Sequence, residues 1–141
     1  MIPDCFLPFV QRYEALRAAA PEMTGISFAF ERGWISPQEV QDAERAWEQN
    51  RAEQEQVFAE LAPLLLTHRA AWQDWLDAAT SLAQRVAAGL EPQASDFQVA
   101  LLKDALPRLS SLSAEQNELD AQGMWALWAV WGVRKSLDEA S

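Results

Sequence analysis

MWALWAVWGV, from Met124 to Val133, is a run of ten apolar residues that carries three of the seven tryptophans in a chain of 141 residues. At 100° per residue Trp125, Trp128 and Trp131 fan across about 120° of a helix, and Leu127, Val130 and Val133 fill much of the remaining circumference. A helix apolar on all sides wants cover on all sides. The run therefore predicts either the central helix of a bundle or a helix with one face kept for a partner, and it sets the fold class as all-α.

Working outward, the neighbouring segments read as helices with short connections. Ser113-Ala114-Glu115-Gln116 has the pattern of a capping box, Ser as N-cap and a Glu or Gln three residues on, and is expected to open the terminal helix. Gly123 either splits that helix or lets a neighbour approach closely, and Gly132 favours close approach. Arg134 and Lys135 sit near its end, where positive charge suits the helix dipole. Ser95-Asp96-Phe97-Gln98 is a second box. It opens a helix through about Leu106 with apolar residues on both sides (Phe97, Ala100 and Leu101 against Val99, Leu102 and Leu106), which predicts a sandwiched element kinked by Pro107.

Upstream, Leu64 to Ala88 is the strongest amphipathic segment. Leu65, His68, Trp72, Trp75, Leu76, Ala79, Leu82, Ala83 and Val86 share one face, and Gly89 with Pro92 ends the run. Ser36-Pro37-Gln38-Glu39 is the clearest local signal, with Ser as N-cap, Pro at N1 and Glu at N3. The helix it starts has an apolar stripe of Val40, Ala43, Trp47, Val57, Phe58 and Leu61. Asn50 and Gln54 interrupt that stripe, which predicts a polar stretch overhanging the bundle, and Pro63 is expected to break or kink the helix. Phe6 to Ala20 and Ile26 to Arg32 complete the set, the second a short helix with Gly33 past its end. The expectation is a single-domain (1–141) bundle of five to seven helices, with no sheet and no repeat.

Composition narrows the function. Twenty-one acidic against eleven basic residues give a net charge of −10. Such a field repels phosphate backbones, so nucleic acid is not expected as a partner, whereas a basic protein would be attracted. The apolar run of ten falls well short of the roughly 20 residues of a membrane span, and the N-terminus has no basic segment before its apolar residues. One cysteine, Cys5, makes no internal disulfide and reads as a small buried residue. These features predict a cytoplasmic monomer or weak dimer that needs no metal or cofactor.

Catalytic constellations are sparse. His68 is the one histidine, and its place on an apolar stripe with Trp72 reads as a core histidine. The carboxylate pairs Asp74/Asp77 and Glu115/Glu118 read as solvated faces; neither supplies ligands from two helices, as a Mg²⁺ site requires. Glycines at 25, 33, 89, 123 and 132 never cluster into a phosphate loop. All-helical nucleotide pyrophosphohydrolases are the nearest enzyme class by fold, but their clustered glutamates are absent.

The acidic helix offers the more positive signal. Between Ser36 and Ala62 stand Glu39, Asp42, Glu44, Glu48, Glu53, Glu55 and Glu60 against Arg45 and Arg51, a net −5 in 27 residues. Asp42, Glu44, Glu48, Glu53, Glu55 and Glu60 are the candidate partner-binding residues. The expected function is a small acidic, non-enzymatic protein-binding module whose partner is a basic protein, either a toxin or a secreted effector. Bacterial immunity proteins that neutralise a cognate toxin are of this kind, as are some secretion chaperones and adaptors, although no family's sequence pattern can be laid on these residues. The alternative is a helical enzyme or small-molecule binder using a Trp-lined pocket with His68.

Overall fold

The computed structural model describes residues 2–115 and 119–140, with only the backbone of 113–115. It holds six helices and no strand among the described residues: α1 (Leu7–Ala19), α2 (Met23–Glu31), α3 (Pro37–Thr67), α4 (Arg69–Ala87), α5 (Asp96–Glu115) and α6 (Ala121–Ala140). The all-helical bundle expected from the periodicity is the observed fold.

Helix α6 occupies the centre. It packs against α1, α3, α4 and α5, and Met124, Ala126, Leu127, Ala129, Val130 and Val133 are buried along it. The aliphatic arc carries the core. Trp125, Trp128 and Trp131 lie half-buried at its border, where Arg17 covers the Trp128 ring at 4.5 Å and Lys135 covers Trp131 at 4.4 Å. Gly123 gives the close approach expected of it, since a Cβ there would stand 3.1 Å from methyl carbons of Leu112 and Leu119; Gly132 faces open space instead.

Around α6, the core takes Phe6, Val10 and Tyr13 from the α1 end, Val57, Leu61 and Leu65 from α3, the Trp75–Val86 face of α4, and Leu102, Ala105, Leu109 and Leu112 from α5. Trp75 is fully buried, stacked on Phe6 at 5.5 Å and met edge-on by Trp72 at 5.6 Å.

Several boundaries differ from the sequence reading. Pro63 does not end α3, which continues to Thr67. The Thr67 hydroxyl donates to the Pro63 carbonyl at 3.1 Å, and the chain turns instead at His68, with φ −112° and ψ 55°. A proline removes one donor from the ladder, which a helix packed on its neighbours tolerates. Pro107 likewise lies inside α5, which runs to Glu115. Ser113 therefore belongs to the end of α5, and the side chains of its expected box lie outside the described residues. The terminal helix starts at Ala121 with Asp120 as its cap, whose Oδ1 accepts from the Gly123 N–H at 2.8 Å. Nor is α5 sandwiched, because Phe97 and Ala100 are exposed. The Ser36 and Ser95 boxes both form as expected.

Asn50 overturns the expected overhang at mid-α3. It is buried, and its Nδ2 donates to the Leu16 carbonyl at 2.7 Å while its Oδ1 accepts from Gln54 at 2.6 Å. The polar interruption of the stripe is the point where α3 docks on the last turns of α1, satisfying a carbonyl the helix end leaves open.

Candidate functional site

Asn50 also marks a boundary between the bundle and a smaller, thinly covered part of the molecule. From Glu14 to Gln49 not one residue is buried, although this segment includes all of α2. Among the described residues α2 packs against α3 and no other helix. Met23, Ile26 and Ala29 of α2 and Val40 and Ala43 of α3 are half-buried, as expected for the inner faces of a two-helix hairpin. The hairpin stands as an arm off the bundle.

Local signals build its tip. Gly33, at φ +71°, donates to the Phe30 carbonyl at 3.0 Å, and Trp34 donates to the Ala29 carbonyl at 2.9 Å. These two bonds are the Schellman closure of a helix, in which the residue after the left-handed glycine packs back on the last turns. Here that residue is Trp34, which meets Phe28 edge-on at 5.7 Å. The Arg32 guanidinium lies 3.4 Å from the Phe28 ring centre and 5.9 Å from that of Trp34. Two residues later the Ser36 box starts α3, its hydroxyl accepting from the Glu39 N–H at 3.2 Å. The contact needs only one edge of the indole, and Trp34 remains 67% exposed, with Phe28 and Phe30 near half.

The acidic candidates are all exposed along α3, but they divide. Glu60 pairs with Arg12 of α1 at 2.8 Å and Glu55 with Arg51 at 3.5 Å, so both serve the α1–α3 half of the helix. Asp42 accepts from Gln38 at 2.9 Å. No ion pair among the described residues reaches Glu44, Glu48 or Glu53. The arm from Glu22 to Glu48 holds six acids (Glu22, Glu31, Glu39, Asp42, Glu44 and Glu48) against Arg32 and Arg45, a net −4. Glu44 and Glu48 are one turn apart on the flank beside Trp47, which is itself 39% exposed.

The aromatic tip is absent from the residues singled out by sequence. Ile26 to Arg32 read only as a short helix, and the position of α2 against a single neighbour is what leaves Phe28 and Phe30 at the surface. A partial signal was available: Gly33 past a helix end, followed by Trp, predicts that the Trp folds back at a chain reversal.

The other residues singled out by sequence lie apart from one another. His68 is exposed at the α3–α4 junction, not in the core, with its ring 6.3 Å from that of Phe6; a residue at a break between helices escapes the burial its stripe position implied. Cys5 is likewise exposed and free, not buried, because it lies in the turn before α1. Asp74 and Asp77 face solvent as expected, and the Glu115/Glu118 side chains lie outside the described residues. A cavity of about 370 Å³ opens between α3, α4, Leu112 and Leu119; it takes Trp72 alone of the tryptophans, and His68 does not line it. Among the described residues no group of three or more His, Cys, Asp or Glu side chains could hold a metal ion, and no helix is long and apolar enough to cross a membrane. No family model, curated protein or solved structure matches this chain.

Proposed function

We propose that the chain is a protein-binding module that docks a basic protein on the acidic arm of α2 and the first half of α3, in the manner of an immunity protein that occludes a cognate toxin. The observation that carries this reading is the arm itself. An apolar helix that packs on a single neighbour leaves aromatic surface in water, and contiguous exposed apolar surface rimmed by charge is characteristic of interaction sites. Its net charge of −4 selects a cationic partner and speeds encounter with it. The exposed, unpaired Cys5 suits a reducing cytoplasm.

The test is affinity purification from the source organism with the wild-type chain and with Glu44→Lys/Glu48→Lys. A basic protein retained by the first and lost by the second supports docking. Arrested growth when that protein is expressed alone, relieved by co-expression of this chain, supports the immunity role. The same proteins retained by both forms would remove the arm from the function.

A further inference from the structure

Resting on the docking reading above, we infer that the aromatic tip of the arm, Trp34 with Phe28, is an anchor that enters an apolar cleft on the partner whose rim is cationic where it meets the acids of α3. The tip is a knob and not a groove: Trp34 is 67% exposed, a Cβ on Gly33 would meet nothing within 4 Å, and α2 has no second helix beside it. A knob of this kind is complementary to a concave surface. Tryptophan is among the residue types that dominate binding energy, and here it is supported edge-on by a phenylalanine.

The tip is also already ordered. The Schellman bonds of Gly33 and Trp34, the Phe28–Trp34 contact and the Ser36 box fix the chain from Ala29 to Glu39 before any partner arrives. Binding then loses little conformational freedom, and preorganisation of this sort favours slow dissociation. The helical backbone has its hydrogen bonds made internally, so a partner cannot add to it as a strand would to a sheet edge and must engage side chains.

Charge decides the occupant. Glu31 is next to the tip, and Glu39, Asp42, Glu44 and Glu48 follow along α3. A second copy of this chain would bring another arm of −4 on a molecule of −10, so self-association through the arm sets like charges together. A cleft rimmed by Lys or Arg meets the same acids favourably, with the indole and phenyl rings inside it.

A photo-cross-linking amino acid placed at position 34 of the full chain, with position 97 on α5 as an exposed control, identifies the protein at the tip in the source organism. Association with that purified protein is then followed by surface plasmon resonance for the wild type, Trp34→Ala, Trp34→Phe and Glu44→Lys/Glu48→Lys. The expected result is a basic protein cross-linked from 34 and not from 97, through residues lining a cleft. Trp34→Ala should raise the dissociation rate at least tenfold with the association rate within threefold. Trp34→Phe should recover part of the loss, and the charge-reversed form should instead slow association. No cross-link from 34, or a cross-link to a second copy of the chain, overturns the inference. So does an unchanged dissociation rate for Trp34→Ala; if the charge-reversed form still associates slowly, docking on the arm stands and the anchor alone fails, whereas no effect of either variant removes both.

Discussion

At the scale of single residues, the side chains that hold the bundle together are not those with the loudest sequence signal. The Trp125–Trp131 run draws attention, yet the fully enclosed indole is Trp75 on α4. Removing a buried aromatic side chain costs about 3 to 5 kcal/mol, so Trp75→Ala should fall in that range in a denaturant titration. Trp128→Ala should cost distinctly less, because that ring is half-buried and held by Arg17 and an edge-on Tyr13; equal losses for the two would place Trp128 in the core after all. Asn50 illustrates the opposite case, a polar residue that reads as a flaw in an apolar stripe. Its two hydrogen bonds tie α3 to the end of α1, and Asn50→Ala leaves the Leu16 carbonyl without its donor. An unsatisfied buried group costs about 1 to 3 kcal/mol, a loss readable as a lower unfolding midpoint. Periodicity registers where polar side chains interrupt a stripe; it cannot register that a carbonyl on another helix is waiting there.

At the scale of elements, the sequence is most legible where a helix starts by a local code. The Ser36 and Ser95 boxes form because their bonds close within four residues and owe little to the rest of the chain. Helix α3 runs on through Pro63 and α5 through Pro107 because packing over their length outweighs one lost donor each. The true start of α6 is set by Asp120, which both caps the helix and pairs with Arg108 at 3.0 Å. Stability should not be uniform across these elements. Helix α2 rests on one neighbour, whereas α6 rests on four, and regions with few buried contacts open with lower free energy. Amide hydrogen exchange should therefore be fastest, among the six helices, in Met23–Glu31 and slow through Met124–Val133. Gly33→Ala forces a side chain into a left-handed turn at φ +71°, a strain of roughly 1 to 2 kcal/mol. It should speed exchange in α2 and leave α6 unchanged; equal acceleration of both helices would mean that the arm and the bundle unfold as one unit.

At the scale of the whole molecule, the bundle and its centre were legible and the arm was not. Whether a helix is covered is decided by where the other five lie, and α2 carries the same kinds of residue as a core helix. The acidic surface was legible as a total, but the structure divides it: Glu55 and Glu60 are ion-paired to Arg51 and Arg12, while Glu44 and Glu48 flank Trp47 on the arm. If net charge alone drew a partner, reversing any two exposed glutamates would slow association equally, since each pair shifts the net charge of −10 by the same amount. Charges beyond a Debye length, about 8 Å at physiological ionic strength, are largely screened, so only acids close to the docked surface should matter. Glu44→Lys/Glu48→Lys should slow association with the basic partner markedly, and Glu53→Lys/Glu60→Lys, further along α3, should slow it little. Neither pair should move the unfolding midpoint by much, given that exposed ion pairs contribute only about 0.2 to 1 kcal/mol. Raising salt should compress the difference between the two variants as the field shortens. Association rates measured at two salt concentrations provide the check: if both double variants slow association to the same extent, the long-range field of the whole chain governs encounter and the arm has no special place in it.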